Sequence, residues 1–343
     1  MSGGLDSSVA AALLVEQGWE VIGLSLHMFK EGSRCCSIED VNRARRVCDR
    51  LSLRHYVMNV VEEFRAAIVQ PFTDAYAAGR TPNPCIFCNR DFKFGAMLRR
   101  ARQLDCTHLA TGHYARVEQR ADGFHLLRGK DRSKDQSYFL HRLGQDQLSA
   151  LVFPLAELTK PEVRAYAAAH QLPIEGARET ADLCFITAKG PAPLVETYHP
   201  EVARAGAIVD EAGHQLGTHS GVHHFTVGQR GGLRVAAGHP MYVKRLDAAS
   251  NRVVIAPRAD VVTAACVARD VFWTTPTPPA DGATVTVRIR YRNEGVAATL
   301  RMAEGSAVQV DFAQPQFAVA PGQAAVFFDG DEVLGGGWIE AEI

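Results

Sequence analysis

Met-Ser-Gly-Gly-Leu-Asp-Ser, residues 1–7, decides the reading of this chain. A turn with two glycines runs straight into an apolar helical pattern, Asp6–Gln17, that carries Val9, Leu13 and Leu14 on one face and stops at Gly18. Glycines let backbone come close to a ligand, and the unpaired amides of a helix start attract anions. Ser2 and Ser7 can donate hydroxyl hydrogen bonds to phosphate oxygens, and Asp6 can hold a magnesium ion or cap the helix. Neither the Gly-Lys-Ser/Thr phosphate loop nor G-x-G-x-x-G is present. By itself the stretch is also compatible with a flexible tail ahead of an Asp-capped helix.

Helix and strand patterns alternate after this loop. Glu20–Leu26 and His55–Val60 read as buried strands. Between them Ser37 starts a helix striped by Val41, Ala44, Val47, Cys48 and Leu51, with Asp40 placed for a capping box. Helical patterns follow over Val61–Tyr76 and Phe92–Leu104, separated by the Pro/Asn segment Arg80–Cys85, and a short strand pattern covers Thr107–Thr111. This alternation predicts an α/β domain with a parallel sheet and helices on both faces. The pattern changes near Lys189–Pro193 to short strands and turns, and after about Val261 it is all β. We divide the chain into 1–190, 191–260 and 261–343.

The 343 residues carry a net charge of −1, with 47% apolar and 22% charged residues, as in ordinary globular proteins. The longest apolar run, Val9–Val15, is far short of the ~20 residues of a membrane helix. No Lys or Arg precedes Lys30, so a secretory signal is not expected and the protein reads as cytoplasmic. With charge near zero, nucleic-acid binding has to come from local Arg clusters such as Arg288, Arg290 and Arg292. Eight cysteines in a long chain without an export signal favour metal or redox use over structural disulfides.

Five further segments narrow the reading. They are Arg-Thr-Pro-Asn-Pro-Cys-Ile-Phe-Cys-Asn-Arg-Asp-Phe-Lys-Phe (80–94), Ala-Thr-Gly-His-Tyr-Ala-Arg (110–116), Lys-Asp-Gln-Ser-Tyr-Phe-Leu (134–140), Leu-Cys-Phe-Ile (183–186) and Phe-Thr-Val-Gly-Gln-Arg-Gly-Gly-Leu (225–233). The opening loop resembles the Ser-Gly-Gly-x-Asp-Ser pyrophosphate loop of the N-type ATP pyrophosphatases. All six segments, in this order, resemble the tRNA-specific 2-thiouridylases of bacteria and organelles, and the resemblance spans essentially the whole chain. It implies a Rossmann-like PP-loop ATP pyrophosphatase domain, a small β-rich central domain and a C-terminal β-barrel that binds tRNA.

The same resemblance implies the activity: ATP adenylates the carbon-2 carbonyl oxygen of the wobble uridine in tRNAs for Lys, Glu and Gln, and a cysteine persulfide supplies sulfur. A persulfide is a soft, low-pKa nucleophile, and a second thiol has to release the sulfur afterwards. By position, Cys88 matches the nucleophile and Cys184, 96 positions on, the persulfide carrier, a pair that forms a transient disulfide. Ser2, Gly3, Gly4, Leu5, Asp6, Ser7, Leu26 and Gly112 match ATP contacts, with Mg2+ as the accompanying ion. Asn83, Pro84 and Cys85 match the segment at the target base. His113, Lys134, Asp135, Gln136, Arg290, Tyr291 and Gln323 match tRNA contacts. The implied partners are tRNA and a cysteine desulfurase or sulfur-relay protein, with no membrane.

Other readings stand beside these. Cys85 occupies a position where the family often has Asp, so Cys85, Cys88 and Cys184 could hold a [4Fe–4S] cluster with one open iron. A non-catalytic tRNA-binding protein is the reading from another class. Cys-x-x-Cys in a loop could be half of a zinc site, with Cys35–Cys36 the one other close pair. We read Cys35, Cys36, Cys48, Cys106 and Cys266 as ordinary buried thiols, and His27, His55 and His108 as structural. His219, His223 and His224 have the look of a metal cluster, but a solvated hairpin is the preferred reading. Tyr138 and Phe139 are expected in the core. Finally, the loop begins at residue 2, whereas the resemblance implies a central strand before it. We therefore expect Met1 not to be the true start, and the natural protein to carry roughly 8–20 more residues including a buried apolar strand.

Overall fold

The structure is a computed structural model that describes residues 1–29, 37–174, 176 and 183–340. Helix α1 (Leu5–Glu16) leads into strand β1 (Ile22–His27), helix α2 (Ile38–Arg50) and strand β2 (Arg54–Asn59). α2 begins with the capping box expected from sequence, Ser37 and Asp40 bonding reciprocally, and it buries Val41, Ala44, Val47 and Cys48. Its close approach to β1 depends on Gly23, where a Cβ would stand 2.4 Å from the Cys48 sulfur. β1 and β2 pair in parallel from Ile22↔Arg54 to His27↔Asn59.

Two long helical stretches follow, 61–77 and 84–103, each with an inserted π-helical segment, Arg65–Val69 and Cys88–Ala96. The second one corrects the sequence reading. Cys-Ile-Phe-Cys lies on a helix that starts at Pro84, not in a loop. Proline suits the first helical position because its missing N–H would be unbonded there anyway. Strand β3 (Leu109–Ala110) pairs in parallel with β6 (Leu151–Val152). Between them lies the hairpin β4 (Ala115–Arg120) and β5 (Gly123–Arg128), which the sequence reading missed.

The expected parallel arrangement is therefore present but divided into two pairs, β2–β1 and β3–β6. Among the described residues no strand joins them. One cavity of about 2150 Å³ runs between their facing edges, bordered by Ile22–Leu24, Leu26 and Met28 on one side and Thr107–Thr111 on the other. Ala10, Ala11 and Leu14 of α1 and Met97 and Ala101 of the helix 84–103 line it as well. Met1 sits at this edge. Its amino group donates to the Leu24 carbonyl, and its own carbonyl accepts from Ser25 Oγ at 2.6 Å.

The middle of the chain forms a four-stranded sheet, in the order β8 (Gln215–His219), β7 (Gly206–Val209), β10 (Arg252–Pro257), β9 (Met241–Asp247). The C-terminal part closes a six-stranded barrel from β11 (Val262–Trp273), β12 (Thr284–Arg288), β13 (Val296–Met302), β14 (Val308–Phe317), β15 (Ala324–Asp329) and β16 (Glu332–Ile339). Closure comes from β11 pairing with both β14 and β16. Alternation along the strands turns Val285, Val287, Leu300, Val310 and Phe327 inward. The hairpin β4–β5 is attached to the barrel rather than to the parallel strands, through Glu332↔Leu127.

Candidate active site

Gly4 is the N-cap residue of α1, and its lack of a side chain leaves the helix N-terminus without a side-chain cap. The first-turn amides of Leu5, Asp6 and Ser7 have no intrahelical partner, which makes this end an anion site. Gly3 has φ +70, and a Cβ there would meet the Asp40 carbonyl at 2.2 Å. Only glycine fits between this turn and α2. The hydroxyls of Ser2 and Ser7 lie 3.1 Å apart, and Ser7 also donates to the Gly4 carbonyl. Gly112 is the matching requirement on the opposite wall, since a Cβ there would meet the Asp6–Ser7 peptide at 2.6–2.8 Å.

Asp6 is engaged by two groups that the sequence reading did not single out. Lys160 Nζ lies 2.7 and 2.8 Å from its two oxygens, and Tyr114 Oη donates at 2.9 Å. Lys160 is 6% exposed and opens the helix Lys160–Ala169, whose capping box is Thr159 with Glu162. Thr-x-x-Glu was the legible signal for that helix. The distance of 154 positions hid its partnership with Asp6.

The cysteines reach the same cavity from different elements. Cys88 is the first residue of the π-helical segment and is 7% exposed. Its neighbour Phe87 stacks on Trp338 of the barrel at 4.7 Å, and Phe92, one turn on, packs on Phe64. Cys184 is followed by Phe185, which packs on Phe29, Phe64 and Phe72. Phe64 therefore contacts aromatic anchors of both cysteine segments. Cys85, Cys88 and Cys184 all border the cavity, with Asn83 and Pro84 beside them. The amide oxygens of Asn83 and Asn89 are buried there without a hydrogen-bond partner. Cys35 and Cys36 lie outside the described residues. Cys48 and Cys266 are buried, and burial pushes the Cys266 thiol up to about 12, whereas Cys106, expected to be buried, is half-buried and borders the cavity.

The third wall is cationic. Ten Lys or Arg residues line the cavity against five Asp or Glu, among them Lys93, Arg128, Arg132, Lys134, Arg290 and Arg292. Tyr291 packs with its ring tilted against Phe139, centroids 4.4 Å apart; Phe139 is only half-buried, whereas Tyr138 is fully buried as expected. Several expected contact residues turn toward protein. Asp135, 2% exposed, accepts from Arg128 at 3.0 Å and from Arg288 at 3.1 Å, fastening the catalytic domain to the barrel. Gln136 accepts from the Tyr114 amide. His113 is buried against Phe94 and Phe153 and bonded to Thr111 Oγ1. Burial, and then the charge of Lys93, hold it well below the usual histidine range, so the ring is neutral. Gln323 donates to the Thr81 carbonyl at 2.8 Å and buttresses the segment that leads to Asn83. Of the expected ATP and tRNA residues, all but Gly3 border this one cavity.

No helix among the described residues is long and apolar enough to cross a membrane.

Comparison with known proteins agrees along the chain. Residues 1–188 match the tRNA methyl transferase HUP domain, 194–257 the tRNA methyl transferase PRC-barrel domain, and 263–339 the aminomethyltransferase beta-barrel domain. The chain is 45% identical over 352 residues to the tRNA-specific 2-thiouridylase MnmA of Geobacter metallireducens, covering 99% of this chain and 95% of that protein. It is 44% identical over 344 residues to the same enzyme of Trichormus variabilis, covering 99% and 97%. Among solved structures, the U34-tRNA thiolase NcsA of Methanococcus maripaludis with its [4Fe-4S] cluster is matched over 58% of this chain and 65% of that one, at 19% identity and a TM-score of 0.36, too distant to carry an argument.

Proposed function

The chain belongs to the tRNA-specific 2-thiouridylase family, and from that premise we propose how its cavity carries out ATP-dependent 2-thiolation of tRNA. The observation that carries the reading is that an anion-binding helix start, two distant cysteines and a cationic wall border one cavity. The ATP phosphates lie against the open amides of Leu5, Asp6 and Ser7 and the hydroxyls of Ser2 and Ser7. Leu26 and Gly112 shape the adjoining walls. The Asp6 carboxylate, held by Lys160 and Tyr114, is the hard oxygen donor that would hold a magnesium ion accompanying the nucleotide, which would neutralise phosphate charge. The wobble uracil lies on Asn83–Cys85, which border the cavity.

The carbonyl oxygen on carbon 2 attacks the α-phosphorus, and pyrophosphate leaves. Carbon 2 now bears AMP as leaving group. The terminal sulfur of a Cys184 persulfide attacks that carbon, and AMP departs with the former carbonyl oxygen. The Cys88 thiolate then attacks the Cys184 sulfur. The thiolated uridine is released, and a Cys88–Cys184 disulfide remains. A thiol reductant opens it, and a cysteine desulfurase or relay protein reloads Cys184. Lys134, Arg290, Arg292 and Tyr291 hold the tRNA backbone.

The test is nucleoside analysis of tRNA for Lys, Glu and Gln after incubation with protein, ATP, Mg2+ and a sulfur source. The expected product is 2-thiouridine, with one pyrophosphate released per thiolation. No tRNA-dependent pyrophosphate release would leave only a binding protein. Cys85→Ala separates the sulfur chemistries. Active, iron-free protein supports the persulfide, while joint loss of iron and activity would place a cluster on Cys85, Cys88 and Cys184.

A further inference from the structure

Far along the chain from the nucleotide loop, Glu196, His223 and His224 converge. Glu196 is carried by the helix Ala192–Tyr198 and the two histidines by the turn Val222–His224 that opens after Gly221. His223 Nε2 lies 3.1 Å and His224 Nε2 3.4 Å from the same oxygen, Glu196 Oε1. The three candidate ligand atoms all lie within 4.8 Å of one another. A tetrahedral ion with Zn–N and Zn–O bonds of ~2.0–2.2 Å sets its ligand atoms about 3.3 Å apart, and the two separations bracket that value. The sequence reading of a solvated hairpin does not hold: His219 is 8% exposed and His223 1%, and only His224 is open to solvent. Glu196 and His224 keep 39% and 34% of their side chains accessible, which leaves room for a water on the outer side. Nδ1 of His223 is buried without a partner, so nothing but the Glu196 contact fixes which nitrogen faces the site.

We propose that Glu196, His223 and His224 bind one divalent cation of the zinc class, with water as fourth ligand, clamping the first helix of the central domain, which follows the Cys184 segment, to the turn Val222–His224 of the same domain. Two imidazoles and one carboxylate, with no thiolate, suit zinc or cobalt over magnesium or calcium. The helix Ala192–Tyr198 packs on Gln70–Ala77, and Phe72 of the latter packs on Phe185, next to Cys184. His199 adds a second tie, 2.7 Å from Asp74. The clamp thus braces the frame in which Cys184 is held.

The test is titration of the chelator-treated full chain with Co2+, read by its d–d absorption, followed by displacement with Zn2+. Cobalt held by a cysteine thiolate instead would add an intense near-ultraviolet charge-transfer band, which tells the two sites apart. The expected result is one equivalent of Co2+ bound without that band and a raised melting temperature on zinc addition. Affinity should fall at least ~10-fold in both Glu196→Gln and His224→Ala, with the far-ultraviolet circular dichroism unchanged. His224 is solvent-accessible, so its replacement is compatible with folding. No stoichiometric binding by the wild type overturns the proposal. So does binding that both variants retain, or binding with a thiolate band that His224→Ala leaves intact.

Discussion

Cys88, Cys184 and Cys266 are chemically the same side chain in three surroundings. Cys266 is 2% exposed inside the barrel, and burial raises its thiol to about 12, so it forms almost no thiolate at neutral pH. Cys88 and Cys184 border the cavity that holds the nucleotide loop. Cys88→Ser and Cys184→Ser should each lower 2-thiouridine formation by at least ~100-fold, whereas Cys266→Ser should leave it within about twofold. Nucleoside analysis of the reacted tRNA reads all three. Full activity of Cys184→Ser would sink the relay between the two cysteines.

At the scale of elements, two junctions carry physical consequences. The first is the slot between β1 and β3. Facing strand edges with unpaired peptide groups away from water cost ~1–3 kcal/mol for each group left unsatisfied. Met1 already bonds the β1 edge through Leu24 and Ser25, as a strand end would. A chain lengthened ahead of Met1 by an apolar strand of about six residues should seat it there. Its melting temperature should rise by about 5 °C or more, with slowed amide exchange in β1 and β3. Unchanged melting and exchange would show that the slot takes no strand. The second junction joins the hairpin β4–β5 to the barrel. His125 bonds Glu332 at 2.7 Å and Asp122 at 3.0 Å. Burial alone would lower the ring's pKa, but the two carboxylates outweigh it and the net shift is upward. A raised value means the protonated ring is favoured by folding. Its contribution is complete below about pH 6.5, the ordinary histidine value, and is lost as pH rises through the raised value. Amide exchange in β5 should therefore accelerate across that window, and His125→Gln should flatten the dependence. The same profile in His125→Gln would assign it to another group.

For the whole molecule, the relevant fact is a near-neutral chain with a locally cationic cavity. Net charge is −1, yet the cavity lining carries ten Lys or Arg against five Asp or Glu. Polyanion binding then rests on few groups, each releasing counterions and steepening the dependence on salt. Arg290→Ala combined with Arg292→Ala should weaken tRNA binding several-fold and reduce the salt slope by up to about two. ATP affinity should not change, because the nucleotide loop belongs to another domain. Titrations at three or more salt concentrations give both quantities. Unaltered tRNA affinity would remove the barrel from the tRNA-binding surface. Arg288 differs from that pair: it is buried on Asp135 and fastens the domains, so its loss would report on folding.

What the sequence determined alone is local in origin. The glycine turn ahead of α1, the Ser37–Asp40 capping box, the period-two strands of the barrel and the alternation of helix and strand follow from spacings of a few residues. The motif segments carried the family, because their order survives without knowledge of what they touch. The tertiary structure decided everything that depends on separation. Lys160 reaches Asp6 across 154 positions, Arg288 reaches Asp135 across 153, and Gln323 reaches Thr81 across 242. It also decided that β4–β5 joins the barrel and that the parallel strands form two pairs with a slot between them. It buried His223 against Glu196 where the hairpin pattern suggested solvent. The physical reason is that capping, turn and alternation energies act within one or two turns of chain. Ion pairing, strand-edge pairing and burial depend on distance in space, which no local pattern encodes.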